Sequence, residues 1–543
     1  MILKTYLLCL LVLTICLIVC CVCDGNSIDV NTSSGSVRGQ TLHVLNHKIH
    51  QFLNIPYAEP PLGPLRFAPP LPLKAPKQDV IDGTVDGNSC IQTVNPMLEA
   101  LVGKLTISED CLTLGVWTQT TGTDIPSDQL KPVMFYIHGG ALSMGSLYQK
   151  MYNGSILPIY DVVVVSVNYR LGQLGFLYGA NETAPGNAGF YDQLLALKWV
   201  RDNIHSFGGD RDRITIFGES AGAWSLSAHL LSPLSKGLFK RAIIQSGTLM
   251  FNKDRPVLGT VDGLAKAKET ARRVGCDPYD YKWLDCLRAI EDPNLILDTA
   301  DAGEAFIISF PVFGTEFLPI LPQKALESGK YNSDVHIMAG LTRDEGHMLA
   351  VALYPQLRAQ NFDVNAFKQL VSALNPVYHN IDPDKVVAHY LRDIDTGNPG
   401  ALIRAFGRLY GDLLLDCPTY LFAKRWAVRS ENAVYFYRFS FQSRGFEMFG
   451  CDDNTICHGA DITYVFGEPV RTATAFREID YDFSLDVMKI WTNFAKNIKP
   501  HDVWPQLWDK SVIRVKDLNP NDMSHILDNP YESTCDGIWS QYF

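Results

Sequence analysis

The chain has 543 residues and a mass of 60.6 kDa, with 47% hydrophobic and 19% charged residues, which excludes intrinsic disorder as its main state. Its formal net charge is −11. Phosphate binding needs clustered Lys and Arg, so this charge argues against a nucleic-acid partner. The sequence after residue 23 has no repeat, long polar linker or composition break. We therefore expect residues 24–543 to form a single large domain.

The first 23 residues are typical of a secretory signal peptide. Lys4 is their only charged residue, and an apolar run begins at Tyr6. Cys21 and Cys23 have small side chains that suit cleavage before Asp24. We expect a secreted protein, or one in the lumen of the secretory pathway, with no stable membrane insertion after signal cleavage. An uncleaved membrane anchor is the alternative interpretation of the same run.

Eight cysteines follow this leader, and an even number suggests disulfides in an oxidising compartment. Sequence spacing favours three short loops and leaves Cys417 and Cys535. The three loops are Cys90–Cys111, Cys276–Cys286 and Cys451–Cys457. The pairing among Cys417, Cys451, Cys457 and Cys535 stays open at this point.

The same residues argue against a metal site. The chain after the leader has neither a CxxC pair nor an HExxH motif, so we expect no metal and no cofactor. Three N-x-S/T sequons, at Asn31, Asn153 and Asn181, predict glycosylation. Glycosylation agrees with the secretory pathway that the leader indicates.

Six apolar runs rich in β-branched residues recur along the chain. Near-continuous apolar strands separated by helices indicate a parallel sheet covered on both faces. The apolar residues within 192–204 lie on one stripe and predict a helix that ends before Gly208. The predicted fold class is therefore α/β. The six runs are 133–137, 162–167, 214–217, 242–244, 335–338 and 434–437.

Residues 218–222 have the sequence GESAG, which is a G-x-S-x-G motif. The strand predicted at 214–217 comes directly before it, and a helical segment at 221–231 follows. A strand, a tight turn and a helix form a nucleophile elbow, which needs small flanking residues and points the oxygen of Ser220 out of the sheet. The helix N-terminus favours the negative charge that develops during attack. An idle serine in a glycine-rich turn is the alternative.

A glycine-rich loop with the sequence HGGA follows the strand predicted at 133–137. Acyl transfer creates an oxyanion, which preorganised backbone N–H groups stabilise. A loop of this kind can turn its N–H groups inward, and the N–H of Ala221 adds one from the nucleophile side. Together with the elbow, the loop predicts an oxyanion hole, although alone it would indicate only a turn.

A serine nucleophile needs a histidine base and an acid that orients it, and with this elbow the chain order is serine, acid, histidine. His458 lies in a loop that a Cys451–Cys457 disulfide would hold in place. Asp344 and Glu345 follow a predicted strand, at an end of the sheet where sites form. Spacing does not choose between these acids. Six other histidines follow the serine by more than a hundred residues: His336, His347, His379, His389, His501 and His525.

These stretches together resemble the type-B carboxylesterase/lipase family, which includes cholinesterases, bile-salt-stimulated lipase and liver carboxylesterases. The resemblance covers nearly the whole chain after the leader. Its further segments are IPYAEPP at 55–61, SEDCL at 108–112, NYR at 168–170, GNAG at 186–189, FGGD at 207–210, DEG at 344–346, HGAD at 458–461 and WTNFA at 491–495.

The resemblance implies an α/β-hydrolase fold, with a mostly parallel twisted central sheet, helices on both faces and large loop insertions. It places the catalytic acid on Glu345 and the base on His458, with Ser220 as nucleophile. It places the oxyanion donors on Gly140, Ala141 and Ala221, where Ala141 replaces the usual third glycine. It also implies the disulfides Cys90–Cys111 and Cys276–Cys286.

One departure from the family bears on the substrate. Cholinesterases carry a tryptophan in the first disulfide loop that stacks on a quaternary ammonium group. The corresponding residues 90–111 contain no aromatic residue. The sequence therefore disfavours cholinesterase activity.

Two function classes follow from these residues. The first is a secreted serine esterase that hydrolyses small-molecule or lipid esters through Ser220, Glu345 and His458 by way of an acyl-enzyme. The alternative is a non-catalytic adhesion, recognition or vesicle storage protein on the same scaffold, because a fold does not fix a function. The sequence does not define the oligomeric state.

We predict a preference for neutral, fairly hydrophobic esters, because no cluster of basic residues marks a site for an anionic substrate. The measurement compares kcat/KM for a neutral ester and its charged analogue. Faster turnover of the charged ester would contradict the prediction.

Overall fold

A computed structural model describes residues 27–93, 99, 103–122, 124–251, 259–298, 307–359, 361–375, 378, 380–441, 451 and 454–543. The predicted signal peptide and its cleavage site lie outside these residues. Within them, no helix is both long and apolar enough to cross a membrane.

The strands of the described residues form a large mixed sheet and a small hairpin. The bounds are β1 Ser27–Thr32, β2 Gly35–Val44, β3 His47–Pro56, β4 Ile81–Asp82, β5 Thr113–Thr118, β6 Lys131–Ile137, β7 Val163–Val167, β8 Tyr178–Asn181, β9 Ala184–Pro185, β10 Gly209–Glu219, β11 Arg241–Gln245, β12 His336–Thr342, β13 Val434–Phe439, β14 Trp508–Asp509, β15 Val512–Leu518 and β16 Ile526–Asp528. The order across the sheet is β1-β2-β3-β5-β7-β6-β10-β11-β12-β13-β15-β14, with β4 beside β2 and β16 beside β15.

Helices cover both faces of this sheet. Their bounds are α1 Gly172–Phe176, α2 Ala188–Asn203, α3 Ala221–Leu231, α4 Thr260–Arg273, α5 Trp283–Arg288, α6 Pro322–Ser328, α7 Glu345–Leu353, α8 Val364–Ala373, α9 Pro383–Tyr390, α10 Pro399–Gly411, α11 Cys417–Arg429, α12 Ala460–Val465, α13 Glu468–Arg471 and α14 Glu478–Asn497. A π-helical turn at Asp412–Asp416 joins α10 to α11.

The six predicted strands are β7, β6, β10, β11, β12 and β13, which are neighbours in the sheet and run parallel. Alternate residues of each strand point to opposite faces. In β7, Val163 packs in the same core cluster as Leu226 of α3, whereas Val164 packs in the cluster of Trp491 of α14. Burial on both faces explains the continuous apolar runs, and the predicted α/β fold class is confirmed.

The N-terminal side of the sheet was not predicted. Strands β1, β2, β3 and β5 pair antiparallel, and β5 pairs antiparallel with β7. The sequence of β2, GSVRGQTLHV, mixes buried and exposed positions. A strand near a sheet edge needs no continuous apolar run, so its signal in the sequence is weak.

The described residues contain four disulfides: Cys90–Cys111, Cys276–Cys286, Cys417–Cys535 and Cys451–Cys457. The short loops therefore form as spacing favours, and the two remaining cysteines pair across 118 residues. Cys417 begins α11 and Cys535 lies near the end of the chain, so this bond attaches the C-terminal segment to the helical layer.

The backbones of helices α7 and α10 are in direct contact where the two helices cross at glycine residues. A Cβ added to Gly346 would overlap the backbone of Gly407 and Gly411, and a Cβ on Gly411 would lie 2.7 Å from Gly346 N. Because α7 begins at Glu345, this crossing also fixes the start of the helix that carries the predicted acid.

We expect Gly346→Ala to destabilise the protein by about 1–3 kcal/mol, because the added methyl group has no space at the crossing. Gly400→Ala is the matched control in α10, since its Cβ would have nearest neighbours at 3.3 Å and beyond. We expect this control to be neutral or stabilising by about 0.5–1 kcal/mol. Thermal unfolding midpoints compare the two variants, and equal midpoints would contradict the packing argument.

Candidate active site

The GESAG segment forms a strained turn between β10 and α3. Ser220 has φ 57° and ψ −124°, outside the regions that residues with a Cβ favour. A Cβ on Gly218 would lie 2.7 Å from Ile137 O, and one on Gly222 would overlap the same oxygen. The glycines are therefore required where the turn passes against β6, as the elbow motif predicts.

Hydrogen bonds hold this turn in place. The N–H of Ser220 donates to Gln245 O at 2.9 Å, at the end of β11, and the N–H of Trp224 donates to Ser220 O at 2.9 Å. Ala221 is the first residue of α3, so its own N–H has no partner within the helix. This N–H is available to an oxyanion formed at the nucleophile.

The HGGA loop lies against the nucleophile. A Cβ on Gly139 would lie 3.1 Å from Ser220 Cβ. Gly140 has φ 109° and Ala141 has φ 57°, so Ala141 takes the left-handed conformation that favours glycine. Gly140 O accepts hydrogen bonds from the N–H groups of Ser143 and Met144, both at 3.0 Å. In a trans peptide, the N–H of Ala141 then points away from this turn.

Glu345 is fully buried at the start of α7. Its Oε1 accepts hydrogen bonds from the N–H of Thr342 at 2.6 Å and from Ser246 Oγ at 2.5 Å. Its Oε2 accepts a hydrogen bond from His458 Nδ1 at 2.5 Å. These three donors satisfy the carboxyl group, and the bond from Nδ1 orients the imidazole ring.

The loop of the acid and the loop of the base are joined directly. The N–H of Asp344 donates to Ile456 O at 3.0 Å, and the N–H of Ile456 donates to Asp344 Oδ2 at 2.8 Å. The Cys451–Cys457 disulfide lies beside His458 in the same loop. Asp344 therefore joins the two loops, and it is Glu345 that contacts the imidazole.

A second carboxylate lies on the other side of the imidazole. His458 Nε2 is 3.0 Å from Glu219 Oε1. This contact does not have hydrogen-bond geometry, and among the described residues neither atom has a hydrogen-bond partner. Ser220 and His458 are therefore not hydrogen-bonded to each other in this structure.

The buried carboxylates control the charge of the site. Burial raises the pKa of Glu219 to about 8, and Asp461 and Glu345 add to this effect against the opposing influence of His458. Burial by itself would lower the pKa of His458, but the charges of Glu219 and Glu345 outweigh it and raise this pKa to about 9. The carboxylates therefore favour the imidazolium form.

Three polar residues around the predicted triad were not predicted from the sequence. Glu219 occupies the variable position of the G-x-S-x-G motif, and Ser246 donates to the acid. Asp461 is fully buried, and its Oδ2 accepts hydrogen bonds from Gln245 Nε2 at 2.9 Å and Tyr437 OH at 2.8 Å. Glu219 lies in the GESAG motif and Asp461 in the HGAD segment, and this position was the only indication of their importance in the sequence. Ser246 lies in no motif.

The described residues offer one group of possible metal ligands: Asp412, Cys417 and Cys535. The two cysteines form a disulfide, so they have no thiolate to offer. The three residues are also distant in sequence from the Ser220 turn, and they supply no metal ligands to it.

We expect Glu219→Gln to lower the pKa of His458, because the substitution removes a negative charge beside Nε2. A general base must be neutral, so the acidic limb of the pH profile of kcat/KM should move to lower pH, by about one unit. Glu182→Gln, at an exposed position, is the control. A limb that stays in place, or moves to higher pH, would contradict this charge coupling.

Similarity to known proteins identifies the family of the chain. The profile of the carboxylesterase family matches residues 26–533. The chain is 34% identical over 503 residues to a cholinesterase of Mus musculus, covering 88% of this chain and 81% of that protein. It is 33% identical over 506 residues to an acetylcholinesterase of Bungarus fasciatus, covering 89% and 81%. It is 32% identical over 544 residues to acetylcholinesterase-1 of Trittame loki, covering 95% and 94%. The protein is therefore a member of the carboxylesterase family and a carboxylic-ester hydrolase of α/β-hydrolase fold.

Proposed function

We propose that the protein is a secreted serine esterase whose triad is Ser220, Glu345 and His458. The observation that carries the proposal is the 2.5 Å hydrogen bond from His458 Nδ1 to the buried Glu345. This bond fixes the tautomer that leaves Nε2 free to accept a proton. The strained turn at Ser220 gives the nucleophile that such a base requires.

In the acylation step, His458 Nε2 takes the proton of Ser220 as Oγ attacks the ester carbonyl. Glu345 stabilises the imidazolium that forms. The N–H groups of Gly140, Ala141 and Ala221 stabilise the oxyanion. The imidazolium then gives its proton to the departing alcohol, which leaves an acyl group on Ser220.

In the deacylation step, water attacks the acyl-enzyme and His458 accepts a proton from that water. The second oxyanion uses the same N–H groups, and its collapse releases the carboxylic acid and returns the proton to Ser220. The hydrogen bond between His458 and Ser220 forms when the imidazole moves from Glu219 towards the nucleophile. Catalytic hydrogen bonds of this kind are often long or unformed without substrate and tighten only in the complex.

The proposed substrates are neutral small-molecule or lipid esters. The relatives named above are cholinesterases, but the loop closed by Cys90–Cys111 has no aromatic residue to stack on a quaternary ammonium group. An apolar alcohol or acyl group needs no such partner. The composition of the first disulfide loop is therefore the reason that we propose neutral esters and not the substrates of cholinesterases.

Secretion, glycosylation and a single domain spanning residues 24–543 complete the proposal. The apolar leader supports secretion, and the family match over 26–533 supports one domain. Asn31 and Asn181 are exposed, as glycan sites require. Asn153 is half-buried, and its Oδ1 accepts a hydrogen bond from the N–H of Ser155 at 3.0 Å.

We expect Ser220→Ala to reduce ester hydrolysis by about 10³-fold or more, because the acyl-enzyme no longer forms. The assay measures kcat/KM on p-nitrophenyl esters from acetate to palmitate, using the purified secreted protein. The ester with the highest kcat/KM gives the size of the acyl pocket.

Ser227→Ala is the matched control on the same helix. Ser227 Oγ donates to Trp224 O and accepts from the N–H of Leu249, so it is buried but outside the triad. We expect its activity to stay within about threefold of the wild type. No turnover of any ester by a folded wild-type protein would contradict the proposed function and favour a binding or storage role.

A further inference from the structure

A cavity of about 560 Å³ has Glu345 in its wall, whereas His458 is not among its lining residues. Its wall includes the loop of Glu345, residues of α9 and α10, the π-helical turn Asp412–Asp416 and the C-terminal segment before Cys535. The volume is within the range of small-molecule sites. The proposed reaction does not use this cavity.

Four arginines from four separate elements line the cavity. Arg343 is already neutralised by Asp344, and Arg438 lies 3.6 Å from Asp517. Among the described residues, Arg392 and Arg408 form no ion pair, although both line the wall. Both side chains are therefore available to a ligand, although the charge of Arg408 also acts on Asp412.

Hydrogen-bond donors of the wall are also unsatisfied. Arg438 Nε and Tyr531 OH are buried and have no hydrogen-bond partner among the described residues. Tyr531 is 7% exposed. Buried donors without acceptors are unfavourable, and an anion supplies several acceptor oxygens at once.

The acidic residues that line the cavity repel an anion less strongly than the same number of fully ionised carboxylates would. Burial raises the pKa of Asp412 to about 7 and that of Asp416 well above its ordinary value. The hydroxyl of Tyr390 donates to Asp412 Oδ2 at 2.5 Å. The upward shifts weaken the opposition of both acids, although the Tyr390 hydroxyl and the charge of Arg408 act the other way on the pKa of Asp412. The exposed Asp393 and the carboxyl group of Glu345 also line the cavity and oppose the anion.

We propose that this cavity binds a small organic anion that carries a carboxylate, sulfate or phosphate group. Arg392 and Arg408 bind the charged group, and Tyr390, Ile394 and Pro530 contact its apolar body. A bidentate arginine contact provides the geometry that such groups need. Because Glu345 and Gly346 also line the cavity, a bound anion lies against the start of α7.

The test is isothermal titration of the full-length secreted protein with benzoate and, as its neutral analogue, benzamide. We expect saturable binding of benzoate and at least about tenfold weaker binding of benzamide. The double variant Arg392→Ala/Arg408→Ala should bind benzoate about tenfold more weakly or worse. Both arginines are exposed, so the double variant should fold.

Arg404→Ala is the matched control, because Arg404 is exposed on α10 one turn before Arg408 but does not line the cavity. Its affinity for benzoate should stay within about twofold of the wild type. Equal weakening in the control and the double variant would mean general charge attraction and would overturn the proposal. Benzoate that binds only at the catalytic serine would keep its affinity in the double variant, which would also overturn it.

The result does not depend on ester turnover, since the titration measures binding alone. A protein that hydrolyses no ester yet binds benzoate through Arg392 and Arg408 would contradict the proposed function and support this inference. A protein that hydrolyses esters but shows no arginine-dependent binding of benzoate would support the proposed function and overturn this inference.

Discussion

The turn at Ser220 requires a backbone conformation that residues with a side chain avoid, and most of the candidate site depends on it. The φ of 57° persists because Gly218 and Gly222 let β10 and α3 approach Ile137 of β6. The hydrogen bond from Ser220 N to Gln245 O then joins the turn to β11. Parallel neighbours in the sheet thus hold Ser220 at its C-terminal edge.

A second constraint is the burial of several carboxylates around a single imidazole. Glu345 is stabilised by three hydrogen-bond donors, whereas Glu219 Oε1 lacks a hydrogen-bond partner among the described residues. An unsatisfied buried carboxylate is costly, and its pKa rises accordingly. The same charge raises the pKa of His458. A carboxylate that stabilises the imidazolium therefore leaves less of the neutral imidazole, which is the form that can accept a proton.

The loops that carry Glu345 and His458 are separated by more than a hundred residues, yet they are joined directly. One backbone hydrogen bond and one bond from the N–H of Ile456 to the Asp344 side chain connect them, and the glycine crossing of α7 and α10 lies at the start of the helix that carries Glu345. Glu345 also lies in the wall of the cavity lined by Arg392 and Arg408. A ligand there would therefore contact the loop of Glu345 and not the turn of Ser220.

The sequence by itself determined that β6, β7, β10, β11, β12 and β13 form a parallel set, because strands buried on both faces are continuously apolar. Their order across the sheet came from the structure. The sequence also determined the elbow, since only small residues fit such a turn. It could not choose Glu345 over Asp344 from spacing, and it gave no role to Ser246 or Glu219. Only the tertiary structure decided these points, because hydrogen bonds between distant loops and the burial of charge depend on chain packing that local patterns do not encode.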